Sequence, residues 1–210
     1  MTAGAIIAGG LSSRMQAGGV AGDKFLQMLG ARPVIAQVAA RLEPQVDRLF
    51  VNANGDPARL AALGLPVVPD RACAKGGPLV GLWTAMLAAR DHVFLAGFPA
   101  DTPFTPADFV ARLVRRQAET QAPIVLARSR GALHPVASLW RTDLAEAVGR
   151  WLDGPEKASI VGFAESVGFA AVDFPDAALP ESGETYDPFL NINRPEDLAE
   201  ARRLAALLGP

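Results

Sequence analysis

The chain has 210 residues, half of them hydrophobic and a fifth charged, with a formal net charge of −2, which suits one globular domain and excludes the basic excess that tracks a nucleic-acid backbone. Its single cysteine, Cys73, excludes an internal disulfide framework and a cysteine-built zinc site. No run reaches ~18 uninterrupted apolar residues and no basic stretch precedes the first apolar run, so a cytoplasmic location with neither membrane nor nucleic-acid partners is expected.

In chain order, residues 4–8 read as a first strand that empties into a glycine-rich loop carrying Arg14 and closing at Asp23-Lys24. Backbone N–H groups bared by glycine, together with two cations, suit a polyphosphate. Residues 33–42 have helical spacing, with Val34, Val38 and Leu42 on one face. Residues 48–51 form a second strand ending in Asn52-Ala53-Asn54, and 57–63 a short helix. A third strand, 65–68, ends at Pro69-Asp70. A helix over 78–89 then leads to a strand over 93–97, which terminates in Phe98-Pro99-Ala100-Asp101. Thr105 is expected to cap a helix beginning at Pro106.

The second half changes character. Residues 124–127 and 135–139 flank a glycine-containing turn, which predicts an antiparallel pair. Residues 142–152 and 195–208 read as helices, the latter capped by Asn193, and 175–187 reads as loop. Strands alternating with helices predict an α/β fold: a Rossmann-like, mixed but mostly parallel sheet flanked by helices in a single domain. In such a sheet ligands collect at the carboxyl ends of the strands. Here those ends deliver Ala8-Gly9-Gly10, Asn52, Asp70 and Asp101 to one edge.

Two familiar nucleotide motifs fail. Gly22-Asp23-Lys24 is followed by Phe25, so the P-loop hydroxyl is missing, and GxGxxG is absent after the first strand. The motifs that remain are Ala8-Gly9-Gly10-Leu11-Ser12-Ser13-Arg14-Met15, Asp23-Lys24, Asn52-Ala53-Asn54, Pro69-Asp70, Gly77-Pro78-Leu79-Val80-Gly81, Asp101-Thr102-Pro103, His134-Pro135 and Asn191-Ile192-Asn193. In this order they resemble the molybdenum cofactor guanylyltransferase family (molybdopterin-guanine dinucleotide biosynthesis protein A) of the sugar-nucleotidyltransferase-like superfamily, over nearly the whole chain.

The resemblance implies a nucleotide-diphospho-sugar transferase-like fold and transfer of GMP from GTP to molybdenum-bound molybdopterin, with Mg²⁺ and release of pyrophosphate. It implies that Arg14 and Lys24 hold the triphosphate, that Asp101 takes the metal, and that Ile7, Ala8, Gly9, Gly10, Lys24, Asn52, Asp70 and Asp101 contact the nucleotide. Gly77, Pro78, His134, Asn191 and Asn193 match the pterin-receiving region. Residues 1–105 then form mainly the GTP and metal half, and 106–210 mainly the acceptor half. Transient contacts with cofactor-synthesis proteins and acceptor molybdoenzymes follow as well.

The same residues admit plainer readings. Asn52 and Asp70 suit strand-end turns, Gly77-Pro78 a helix start, His134 a structural hydrogen bond, and Asn193 a helix cap worth ~1 kcal/mol. The stretch over residues 16–22 is several residues longer than the short Gly-Gly-x linker usual in the family, which leaves the position of Lys24 open. A cytidylyltransferase acting on the same pterin, a sugar-phosphate nucleotidyltransferase and a non-catalytic nucleotide-binding partner stand as alternatives. Gly9, where the cytidylyltransferases tend to carry alanine, leans the base toward guanine.

Overall fold

The computed structural model of the chain describes residues 1–9 and 23–209; Gly10, Arg14 and residues 16–22 lie outside them. A seven-stranded sheet is built from β1 (Thr2–Ile7), β4 (Arg48–Asn52), β5 (Val67–Val68), β6 (Phe94–Pro99), β7 (Ile124–Ser129), β8 (Ala132–Arg141) and β9 (Ala170–Asp173), in the order β5-β4-β1-β6-β8-β7-β9. Every neighbouring pair is parallel except those made by β8, which runs antiparallel to β6 and to β7. A mixed, mostly parallel sheet was the expectation, and it holds.

The alternating side chains of β1 show why both faces are covered. Ala3, Ala5 and Ile7 join one buried cluster, whereas Ile6 and Ala8 join the other. Helices α1 (Val34–Leu42) and α3 (Phe109–Thr120) pack on the second of these faces, through Ile35, Val38, Leu42, Phe109 and Leu113. Helices α2 (Pro78–Ala88), α4 (Ala145–Asp153) and α5 (Ile160–Val167) cover the first, through Leu79, Leu82, Met86, Val148 and Phe163. Trp140 is fully buried on that side, and Trp83 and Trp151 pack partly buried against it.

A third cluster seats the last helix, α6 (Pro195–Leu208). Leu198, Ala201 and Leu204 pack with Ile192, Phe104, Val34 and Leu29. Leu29 belongs to a two-residue hairpin, β2 (Met28–Leu29) with β3 (Arg32–Pro33), and a second small ladder joins β10 (Ala177–Ala178) to β11 (Thr185–Tyr186). No described helix is long and apolar enough to cross a membrane.

Several boundaries differ from expectation for local reasons. The helix placed at Pro106 begins at Phe109 with Asp108 at its cap, and the Thr105 hydroxyl donates to the Thr102 carbonyl at 3.1 Å. The last helix is capped at Arg194 and not at Asn193. The Asp197 carboxylate accepts the backbone N–H groups of both residues, at 2.9 and 2.8 Å, and the Asn193 side chain bonds to Lys24 instead of the helix. Helix α5 and strand β9 were not anticipated. Ser159 starts α5 by accepting the Gly162 N–H at 3.1 Å.

Candidate active site

The parallel strands β5, β4, β1 and β6 all end at one edge of the sheet. Because β8 is antiparallel, its early residue His134 comes to that same edge, beside the end of β7 at Ser129. Pairing between β7 and β8 slips there: Leu126 faces Ser138 but Ala127 faces His134. The extra residues on β8 begin with Pro135, which has no N–H to contribute to a ladder, so a bulge is the local solution. Asp70, Asn52, residues 7–9, Asp101 and His134 therefore line one edge in that order.

At its centre lies Asp101, just past β6 and buried to 5% exposure. Its carboxylate forms an ion pair with the Lys24 ammonium, and that ammonium also donates to Asn193 Oδ1 at 2.7 Å. Burial pushes the Asp101 carboxyl above the ordinary carboxylate range, and the Lys24 charge opposes the push. The position of Lys24, left open by the long preceding stretch, is fixed from downstream. Lys24–Leu26 form a short 3-10 helix whose Phe25 is buried, Asp23 is ion-paired with Arg59, and the Arg59 guanidinium lies 5.6 Å from the Phe25 ring centroid.

On the β4–β5 side a network of amides holds Asp70. Asn52 is 1% exposed and commits its amide donors to the Val68 carbonyl at 3.1 Å and to Asp70 Oδ1 at 2.9 Å. Asn54 donates to Asp70 Oδ2 at 2.7 Å and accepts the Asp70 N–H at 2.8 Å. Each Asp70 oxygen keeps a lone pair for a further donor. Helix α2 approaches this network closely because position 81 is glycine: a Cβ there would stand 2.4 Å from Asn52 Oδ1. Gly77 caps α2 at φ +106°, a conformation that favours glycine, and Pro78 opens the helix. Both are exposed.

On the other side, the half-buried His134 ring stacks on Phe189, with centroids 4.7 Å apart and planes 15° from parallel. Its Nε2 lies 2.7 Å from Ser129 Oγ, and that hydroxyl donates to Asp187 Oδ2 at 3.0 Å. Burial pulls the His134 pKa below its ordinary value, against the Asp187 charge. One segment joins the two sides: Asp187 and Phe189 belong to the histidine cluster, the Ile192 N–H donates to the Asp101 carbonyl at 3.0 Å, and Asn193 holds Lys24.

The structure thus brings Lys24, Asp101 and Asn193 into contact and pairs Asn52 with Asp70. Ile7 and Ala8 sit at the end of β1, where the Ala8 N–H donates to the Asn52 carbonyl at 2.8 Å and the Ala100 N–H to the Ile7 carbonyl at 3.3 Å. Gly9 follows with nothing described within 4 Å of where a Cβ would be. Asn191 is exposed. Sequence reasoning passed over Asn54, Ser129 and Asp187. The Asn-Ala-Asn spacing was a usable signal for the first, since alternate strand residues share a face; the other two meet His134 only through the fold. Among the described residues, no three His, Cys, Asp or Glu side chains are arranged to hold a metal by themselves.

Residues 4–167 match the family described as MobA-like NTP transferase domain. A molybdenum cofactor guanylyltransferase from Brucella ovis is 56% identical over 201 residues, which is 96% of this chain and 91% of that protein. Among solved structures, the molybdopterin-guanine dinucleotide biosynthesis protein A of Archaeoglobus fulgidus superposes with a TM-score of 0.72 at 17% identity, covering 98% of this chain and 99% of that one. A CMP:2-keto-3-deoxy-manno-octonic acid synthetase complexed with CTP superposes with a TM-score of 0.71 at 14% identity, covering 98% and 97%.

Proposed function

The chain belongs to the MobA-like NTP transferase family and is a nucleotidyltransferase, and we propose that it transfers GMP from GTP to the phosphate of molybdenum-bound molybdopterin. In this reaction an oxygen of the acceptor phosphate bonds to the α-phosphorus of GTP as the bond to the β-phosphate oxygen breaks, and pyrophosphate leaves with that electron pair. The nucleophile is already an anion, so no covalent enzyme intermediate is needed. Positioning and charge stabilisation supply the catalysis.

The observation that carries this reading is the contact of one ammonium, Lys24, with both Asp101 and Asn193. Asp101 ends a central strand on the nucleotide side, and Asn193 arrives on the segment shared with the histidine cluster. Lys24 is then placed to hold phosphate oxygens where the two substrates meet and to offset charge on departing pyrophosphate. Arg14, from the loop before it, is assigned the same anionic group. Asp70, held by Asn52 and Asn54, offers its remaining lone pairs to N–H or O–H donors of the guanosine; the donors of Asn52 are already committed, so it acts through Asp70. Residues 7–10 contact the nucleotide. Gly77, Pro78, His134, Asn191 and Asn193 serve the acceptor side, so residues 1–105 form mainly the nucleotide and metal half and 106–210 mainly the acceptor half, with Gly77 and Pro78 contributed across that division.

Asp101 is the residue that would hold Mg²⁺. A buried hard-oxygen donor that joins no cluster of three ligating side chains among the described residues suits an ion that binds protein through only one or two carboxylates. Held there, Mg²⁺ would supply charge neutralisation to the triphosphate. The fold is shared with a CTP-complexed synthetase, so the base must be read from the site. Nothing in the described packing requires glycine at position 9, and its missing side chain is better explained by a purine nearby. The identity with the Brucella guanylyltransferase favours the same base.

The direct test is pyrophosphate release with molybdenum-loaded molybdopterin and Mg²⁺. Release is expected with GTP, to depend on the pterin, and to fall by about tenfold or more with CTP, the scale of a few well-placed hydrogen bonds. Faster release with CTP, or turnover with sugar 1-phosphates in place of the pterin, would sink the assignment.

A further inference from the structure

We propose that Ser129 and Asp187 are positioning residues that fix His134 as its Nε2–H tautomer, so that Nδ1 presents an acceptor lone pair to a hydrogen-bond donor of the acceptor substrate. Hydrogen-bond direction compels the first half of this. An ionised carboxylate only accepts, so the one Ser129 hydroxyl proton is spent on Asp187 Oδ2 at 3.0 Å. Ser129 Oγ, 2.7 Å from His134 Nε2, must then accept, and Nε2 must carry the proton. Asp187 is itself held, because its other oxygen accepts the Phe189 N–H at 2.9 Å, and the Phe189 ring stacks on the imidazole. Ser129 is 2% exposed, so water does not compete readily for these bonds.

The second half follows from what is left. Among the described residues Nδ1 has no hydrogen-bond partner, and the ring is half-buried at the ligand edge. Phe189 stands three residues before Ile192, whose N–H is bonded to the Asp101 carbonyl. Three residues span at most ~11 Å, so the histidine cluster lies within one substrate's reach of the metal residue. Burial favours the neutral imidazole. A neutral Nδ1 lone pair repels phosphate oxygens and attracts N–H groups. His134 therefore selects the heterocycle of a pterin, with its ring and amino N–H donors, over the phosphate it carries. This role rests on the proposed acceptor; the tautomer does not.

The chain has only two histidines, His92 and His134, so ¹⁵N NMR of the ring nitrogens reads the tautomer directly. At pH 7 wild-type His134 is expected as Nε2–H. In Asp187→Asn the amide can donate to Ser129 Oγ, the hydroxyl turns to donate to Nε2, and the tautomer should invert to Nδ1–H. A merely structural Asp187 would not produce that inversion. Binding of a reduced pterin without phosphate, followed by its fluorescence, should weaken about tenfold in Asp187→Asn and in His134→Leu. His134→Asn, whose Oδ1 hangs one bond from Cγ as Nδ1 does, should recover most of the loss, and GTP affinity should stay unchanged in all three. An Nδ1–H or doubly protonated ring in the wild type overturns the proposal. So does pterin binding by the wild type that His134→Leu leaves intact. If the wild type binds GTP but no pterin, the acceptor assignment itself falls and takes the recognition role with it, whatever the tautomer.

Discussion

At the scale of single residues, the pair Lys24–Asp101 sets stability against chemistry. Burial raises the Asp101 pKa, so over the window between its ordinary value and the raised one the folded protein holds a proton that the unfolded chain has released. Its contribution is fully present below the unfolded pKa and is lost as pH rises through the folded one. Removing one partner of a buried pair is damaging when it strands a buried charge. Here the stranded group is Lys24, which keeps a fifth of its side chain exposed and retains its bond to Asn193. Asp101→Asn is therefore expected to keep or raise Tm at neutral pH. The gain over wild type should shrink as pH falls toward 4, in melts run from pH 4 to 8. Turnover should drop by about a hundredfold or more, as for other losses of charge stabilisation. A large fall in Tm at pH 7 would mean that the ion pair, not the desolvated carboxyl, dominates.

At the scale of elements, helix α2 is positioned by what it lacks. Alanine at position 81 gains about 1 kcal/mol of helix propensity over glycine. Its Cβ would stand 2.4 Å from Asn52 Oδ1 and 3.2 Å from Ile7 Cγ2. Asn52 cannot swing aside without giving up its bonds to the Val68 carbonyl and to Asp70. Overpacking of this kind costs about 1–3 kcal/mol, so the steric term wins. Gly81→Ala should lower Tm by a few degrees and weaken GTP binding by about tenfold, measured by calorimetry, because Asp70 loses its support. The Gly-Pro-Leu-Val-Gly motif was legible in the sequence, as were the strand ends that carry Asn52, Asp70 and Asp101, because apolar runs bounded by turn residues mark strands without outside help. The small ladders β2–β3 and β10–β11 were not legible, since two-residue strands carry no periodicity. The antiparallel turn was visible, but the slip at Pro135 that brings His134 opposite Ala127 depends on the neighbouring strand. Asn193 looked like a helix cap from its place before Pro195, but Arg194 takes the cap position and the Asn193 oxygen is committed to Lys24, a partner 169 residues away.

At the scale of the whole molecule, the family match ends at residue 167, yet residues 187–193 lie beyond it and contact Ser129, His134, Asp101 and Lys24. That segment is anchored by Ile192, fully buried in the third cluster, whose N–H holds the Asp101 carbonyl and whose neighbour Asn193 holds Lys24. Leu204 sits in the same cluster, 1% exposed, far along the last helix from any of those bonds. Truncating either side chain removes similar apolar volume, and each is expected to cost about 2–5 kcal/mol. If the C-terminal helix serves only as a lid on the core, the two variants should bind GTP and acceptor alike once folded. If it carries the site, Ile192→Ala should weaken both ligands several-fold beyond Leu204→Ala, with Tm matched between the two. The second outcome is expected, because a cavity beneath Ile192 lets the backbone that bears Asn193 relax, and the Lys24 ammonium is held to a point only while that backbone is fixed. Equal affinities at equal Tm would separate the third core from the chemistry.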